Sequence, residues 1–259
     1  MNLPRTALAV AASAAALLFA VPLVGLLAHA PWSDFPTLLG DARVRDALAL
    51  SFAASGAAVG VAIVLGMPLA LWLASGRSAL RTVVRTIVLL PVVLPPIVAG
   101  IALLSAFGRN GLVGAPLEQA FGVTIPFTRV ATVVAAAYMG LPFFVLAVES
   151  GLRAFDARWL DMARSLGAGP IRRFAYVTLP MIFPSVATGM LLCFMRALGE
   201  YCATQLFAGN LEGVTRTLPL ACGLAMETDP RLAIALSLLL SGGSVAVLLL
   251  LKRRLPGAR

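Results

Sequence analysis

Long uncharged runs constrain this chain more than anything else in it. Six appear, at residues 6–28, 47–74, 86–108, 130–148, 184–208 and 232–251, all without charge except the fifth, which holds Arg196 and Glu200. A helix needs about 20 apolar residues to cross the hydrocarbon core of a bilayer, and it satisfies its own backbone hydrogen bonds where no water can. The pattern predicts an all-α membrane protein of six transmembrane helices, folded as one domain over 1–259. Only 12% of the residues are charged, about half the share in soluble domains. The mean hydropathy of +0.97 is incompatible with a water-soluble surface.

The first run has two readings. Arg5 precedes it, and Ala28-His29-Ala30 resembles a signal-peptide cleavage site. The length of the run and the following Pro31 favour an uncleaved helix. The second run is longer than a bilayer requires, so it is expected to tilt or to extend past the interface. The third contains Pro91, Pro95 and Pro96, and the fourth contains Pro142. Each proline removes a backbone donor and kinks a helix.

The net charge of +9 comes from nineteen arginines and the single Lys252. These residues flank apolar runs, so they report topology rather than nucleic-acid binding. With both termini placed in the cytoplasm, the inner side holds Arg5, Arg77, Arg81, Arg85, Arg153, Arg158, Arg164, Arg172, Arg173, Lys252, Arg253, Arg254 and Arg259. The outer side holds only Arg43, Arg45, Arg109, Arg129, Arg216 and Arg231. That bias is the one expected when basic residues are retained inside. The expected location is a membrane crossed several times, with lipid around the chain and no nucleic acid.

Several chemistries are excluded or disfavoured. A P-loop needs Gly-Lys-Ser/Thr, and Lys252 sits between Leu251 and Arg253, so the chain carries no such nucleotide site. Cys193, Cys202 and Cys222 are odd in number and show no paired spacing, which reads as packing. His29 is the only histidine, so no His-based metal or catalytic cluster is expected. No catalytic residue and no metal site are assigned, and no internal repeat is evident.

The polar interruption at 153–180 departs from the rest of the chain. Asp156 suits a helix N-cap, and Trp159, Leu160, Ala163 and Leu166 recur at helical spacing. Gly167 suits a helix end that needs a left-handed residue, and Pro170 suits the first position of a second short helix. The residues predict a helix–turn–helix across the inner face with one apolar face and a basic rim. On their own they leave two readings open, a docking site for a partner and a lipid-anchored interfacial loop.

The same segment resembles the signature loop of the permease subunits of ABC importers. That loop reads Glu-Ala-Ala, three residues, Gly, nine residues, Ile, one residue, Leu-Pro. Asp161-Met162-Ala163, Gly167, Val177 and Leu179-Pro180 stand at the same spacing, with Asp161, Met162 and Val177 as substitutions. The resemblance implies the small importer-permease (MetI-like) fold. It also implies that Leu160, Asp161, Met162, Ala163, Gly167 and Ala168 form a coupling helix docked on a separate ATP-binding subunit. Two such subunits would bind the ATP and Mg, so the permease would need no cofactor of its own and would be no enzyme. An external oxyanion-binding protein, a permease homodimer and a place in the bacterial inner (plasma) membrane are implied with them.

Arg196 and Glu200 lie within the fifth run, four residues apart and so on one helix face. An ionisable residue at membrane depth is costly and marks either an internal pair or a pathway. Two readings follow: a self-compensating structural pair, and a translocation-path element with Thr204 and Gln205. Arg196-Ala-Leu-Gly-Glu200 through Gly209-Asn210 resembles the matching segment of molybdate permeases. Thr215 to Leu220, Ile125 to Thr128 and Leu141 to Phe144 resemble the wider molybdate and sulfate group. The resemblance implies molybdate import, with sulfate or tungstate import as the near alternative. An ion-gradient-driven secondary carrier, using Arg196 and Glu200 for substrate or protons, is the alternative of another class.

Overall fold

The computed structural model describes residues 5–254, and all of their regular structure is helical. Arg259, counted above on the inner side, lies outside them, as do the side chains of Arg5, Lys252, Arg253 and Arg254. In chain order the helices are α1 (Arg5–Ala28), α2 (Phe35–Gly40), α3 (Ala42–Val61), α4 (Met67–Ala74), α5 (Ala79–Val93), α6 (Pro96–Phe107) and α7 (Gly114–Phe121). They continue with α8 (Arg129–Ala154), α9 (Arg158–Ser165), α10 (Pro170–Arg173), α11 (Leu179–Leu198), α12 (Cys202–Phe207), α13 (Leu218–Thr228) and α14 (Pro230–Arg254). Five helical stretches are long and apolar enough to cross a membrane, or six when the bent pair α5/α6 counts as one span.

The central element is α8. It packs against α11, α3, α4, α5 and α12, and its hydrophobic window is the most buried of any candidate span, at 56%. Small residues allow this. A Cβ added at Gly140 would meet the Cys193 carbonyl oxygen and Sγ at 2.9 Å, and one at Gly189 would meet the Phe144 carbonyl oxygen at 3.1 Å. Backbones can approach that closely only where the side chain is missing, the usual basis of helix association in lipid. On α3, Ala47, Ser51, Ala54, Ser55 and Ala58 form the buried stripe. Phe144, Val145 and Val148 fill the space against Ala62, Ala70 and Leu73.

Three element boundaries differ from the sequence expectation, and each has a local cause. The third run, expected as one helix at 86–108, is two helices meeting at 120°. Leu94 and Pro95 are extended, with ψ of 142° and 136°, because a residue before proline is pushed out of the helical region. Pro96 then starts α6 at a first-turn position, where proline fits, whereas Pro91 stays inside α5. The fifth run, expected at 184–208, is a helical stretch from Pro170 to Leu198 with a π turn at Phe174–Thr178. It stops at Gly199, and Cys202–Phe207 is a separate short helix. The fourth span runs past 148 to Ala154, so Glu149 and Arg153 belong to it.

The second run, expected to tilt or overrun, is a 33-residue stretch, Ala42–Ala74, carrying its own π turn at Ala62–Gly66. Midway along α3, Ser51 Oγ donates to the Ala47 carbonyl at 2.8 Å and accepts from Leu218 N at 2.7 Å. That bond satisfies an otherwise orphaned first-turn donor of α13. α1 stands apart: no residue of its apolar window is buried.

Candidate docking platform and intramembrane charges

α9 lies across the turn between α8 and the Pro170–Leu198 stretch and rests on the π turn at Phe174–Thr178. Asp156 Oδ1 accepts from Arg158 N at 2.9 Å just ahead of the helix. The helix closes at Gly167, whose φ is +78°. Gly167 N donates to the Arg164 carbonyl at 2.9 Å and Ala168 N to the Ala163 carbonyl at 3.0 Å. This pair of bonds is a Schellman end, which needs a left-handed residue at that position. The predicted turn is therefore built from the residues that suggested it.

The platform turns its apolar groups two ways. Ala163 is buried and Leu160 half-buried against the body of the protein. Trp159, Met162 and Leu166 face outward, Leu166 at 87% exposure, and Ile171 and Tyr176 join them. Asp161 is exposed beside Arg164, with Nη1 to Oδ1 at 3.6 Å. Ile171 and Tyr176 carried no sequence signal of their own; they follow Pro170 on the stretch that leads into α11 and are exposed there.

The intramembrane pair forms, but not along a continuous helix. Arg196 is in the last turn of α11, and Glu200 sits in the break before α12. Arg196 Nη1 donates to Glu200 Oε2 at 2.6 Å, and Glu200 Oε1 accepts from Ala203 N at 2.8 Å. Both carboxylate oxygens are engaged, one with the arginine and one with the start of α12. Thr204 is buried nearby, beside a small void that Ser51, Thr132 and Thr217 also border. Gln205 is exposed and does not border that void. The structure thus gathers Arg196, Glu200 and Thr204 and separates Gln205 from them.

A second charged cluster was not anticipated from the sequence. Glu149 is buried on α8 and is held from two sides, by Arg85 of α5 and Arg153 one turn further along α8. Arg153 Nε and Nη2 reach Oε1 at 3.0 and 2.8 Å, and Arg85 Nε reaches both carboxylate oxygens at 3.1 and 3.2 Å. Both arginines also point Nη2 at the Leu73 carbonyl, at 3.5 and 3.4 Å, where α4 ends with unsatisfied acceptors. Arg85 and Glu149 are 64 residues apart in sequence, and no spacing rule links them.

On the opposite side, the segment 209–217 is a tied loop. Buried Thr215 donates from Oγ1 to the Gly209 carbonyl at 3.2 Å and accepts from Leu211 N at 2.9 Å. Arg216 Nε donates to Asn210 Oδ1 at 2.9 Å, and Arg129 Nη2 donates to the Gly213 carbonyl at 2.9 Å. Gly209 and Gly213 both adopt positive φ. The residues that carried the oxyanion-group resemblance here are the ones that knot this loop. Among the described residues, no group of three or more His, Cys, Asp or Glu side chains is placed to hold a metal ion.

A helical chain whose described residues hold five or six candidate spans is a polytopic membrane protein. A family model described as "Binding-protein-dependent transport system inner membrane component" matches residues 62–254, and the chain belongs to that family. Membership makes it the inner-membrane component of such a system rather than its ATPase. It is 46% identical over 160 residues to the "Molybdenum transport system permease protein ModB" of Mycobacterium tuberculosis, covering 62% of this chain and 60% of that protein. To the protein of the same description from Escherichia coli K12 it is 40% identical over 132 residues, 51% of this chain and 58% of the relative. The chain thus spans about 60% of the length of the curated relatives it matches. Its fold is similar to a chain in the crystal structure of a bacterial ABC transporter involved in import of the acidic polysaccharide alginate. The TM-score is 0.74 at 17% identity, over 96% of this chain and 93% of that one.

Proposed function

We propose that this chain is the permease subunit of an ATP-driven importer that carries molybdate inward across the inner membrane. Two copies would pair, two ATP-binding subunits would dock beneath them, and a periplasmic or extracellular oxyanion-binding protein would deliver substrate from outside. Both termini would lie in the cytoplasm. ATP and Mg would be bound by the partner ATPase. The observation that carries the reading is the outward apolar face of α9, with Trp159 at 48%, Met162 at 57% and Leu166 at 87% exposure. Large apolar groups projecting from a charged, water-facing turn mark a surface made to be covered.

In this reading Leu160, Ala163, Gly167 and Ala168 shape the coupling helix and seat it on the permease, while Asp161 and Met162 enter the groove of the ATPase. Closure of the two ATPases on ATP would move α9, and α9 would move the spans on either side of it. Arg196, Glu200 and Thr204 would shape the translocation path from within one subunit, and Gln205 would face it. The molybdate assignment rests on the 46% and 40% identity to proteins described as molybdenum permeases. Sulfate and tungstate remain the competing cargoes, since all three are tetrahedral dianions.

The test is uptake of labelled molybdate in cells or vesicles carrying the assembled transporter, with sulfate and tungstate as competitors. Uptake that survives an uncoupler and stops on ATP depletion is expected. Uptake that collapses with the proton gradient and persists without ATP would establish the ion-driven carrier instead. Preferential accumulation of sulfate would reassign the cargo while keeping the machine.

A further inference from the structure

One groove on this chain belongs to neither the platform nor the outer loop. On α8, Pro142, Leu146, Glu149 and Arg153 recur three or four residues apart and share a helix face. On α5, Thr82, Arg85, Val88 and Pro91 recur every third residue. The two stripes face each other, joined at one end by the Arg85–Glu149 contact. Two cavities lie between them. One, of about 400 Å³, is apolar, with Leu65, Val88, Pro91, Leu141 and Pro142 among its walls. The other, of about 540 Å³, opens outward and is bordered by Arg77, Thr82, Arg85, Glu149, Ser150 and Arg153. Arg85 and Val88 are only about 4.5 Å apart along α5, and Pro142 and Leu146 about 6 Å apart along α8, at 1.5 Å rise per residue. The two cavities share no wall residue, but these short steps along α5 and α8 set them end to end, the one greasy along the spans and the other cationic beside Glu149.

The cationic end has capacity to spare. Three arginines face one carboxylate. Arg85 and Arg153 commit Nε and Nη2 to Glu149 and the Leu73 carbonyl. The Nη1 of each donates to nothing among the described residues. Arg77 is exposed and has no ion-pair or hydrogen-bond partner among them. An inorganic oxyanion would answer the arginines but has no reason to extend into the apolar half. A second copy of a chain with net charge +9 is a poor match for a triply basic rim. An anionic head on an acyl chain fits both halves, since basic clusters at the bilayer surface attract anionic lipid.

We propose that this groove binds an anionic glycerophospholipid, its phosphate against Arg77, Arg85 and Arg153 and one acyl chain along Val88, Pro91 and Leu141. The bound lipid would brace the bent pair α5/α6 against α8. The proposal needs the chain to be embedded in a bilayer but does not depend on which solute is transported.

The experiment is native mass spectrometry of the full-length protein in detergent, titrated with dioleoyl-phosphatidylglycerol or dioleoyl-phosphatidylcholine. One phosphatidylglycerol per chain should be retained at least tenfold more strongly than phosphatidylcholine. R77Q should weaken that retention several-fold without touching the Glu149 clasp. L65W, at a position 60% exposed in the fold, should obstruct the chain half of the groove and weaken it likewise. R43Q, far away on the outer side, should leave it unchanged. Equal retention of the two lipids, or no effect of R77Q and L65W, would overturn the proposal. So would displacement of the lipid by millimolar phosphate or molybdate, which would make the groove an oxyanion site. Disulfide-linked dimers formed through I87C in the same groove would place a second copy there and overturn it equally. None of these readouts measures uptake, so a failure here is separable from a failure of the transport assignment.

Discussion

A buried carboxylate with two arginines is a costly arrangement, and Glu149 shows what it secures. The side chain joins α5 to α8, and its arginines share the Leu73 carbonyl in the last turn of α4. Removing one partner of a buried ion pair costs about 3–5 kcal/mol where the remaining charge is stranded. Arg85 and Arg153 keep 30% and 38% side-chain exposure and can rehydrate, so E149A should cost nearer about 2 kcal/mol after that discount. Thermal unfolding in detergent would measure the loss, and E149Q should recover part of it. Glycines make a sharper comparison. G140A puts a methyl group against the Cys193 backbone and should cost about 1–3 kcal/mol through forced displacement of α11. G60A meets nothing within 4 Å and should be neutral, or stabilising by up to about 1 kcal/mol through helix propensity. At this scale the sequence was legible where partners are neighbours: Gly167 as a helix end, Arg196 with Glu200, Asp156 ahead of α9. It was silent on Arg85 and Glu149, which read only as charges bounding apolar runs, because their contact depends on how two separate helices pack.

Helices were foreseen wherever hydropathy alone decides, and misplaced wherever a backbone break decides. Hydropathy does not register the stop at Gly199, so the fifth run was drawn through α12, and the apolar character of Cys202–Phe207 concealed that it is a separate piece. Proline content did signal trouble in the third run, but three prolines could not say which one bends the chain; the Pro95-Pro96 pair does, because only there is the preceding residue also forced extended. The platform helix α9 was located from spacing, while the direction of its faces needed the fold. Its outward apolar residues carry a prediction of their own. M162D or L166D should leave the folded permease unchanged, since both side chains point away from it. The same changes should abolish ATPase association in a pull-down and reduce uptake by at least tenfold. G167V should act differently, straining the left-handed turn by about 1–2 kcal/mol and misdirecting α9. Association would then weaken with little change in overall stability, and ATP hydrolysis would become uncoupled from uptake.

As a whole, the molecule leaves one of its apolar helices uncovered. The core formed by α3, α4, α8 and α11 is small-residue rich, whereas α1 has no buried residue from Leu8 to Ala28 and carries Leu17, Leu18 and Phe19 at 60–75% exposure. If two copies pair as proposed, a single cysteine at Leu18 in a cysteine-free background should cross-link between copies in membranes, and detergent dilution should abolish the product. Absence of any inter-copy product across α1 would argue for lipid alone around it. The bend between α5 and α6 has a consequence at the same scale. Leu94 N still closes on the Leu90 carbonyl at 2.8 Å, but Pro95 and Pro96 bring no N–H, so the Pro91 and Val92 carbonyls lose the donors a continuing helix would supply, within a span that should be dry. Such groups draw hydration to themselves. The bend is therefore where solvent should penetrate the bilayer-embedded body, and the Ile97 amide should exchange deuterium much faster than the amides of Ala135 or Ala136 at the heart of α8, marking the elbow as the wet seam of an otherwise dry structure.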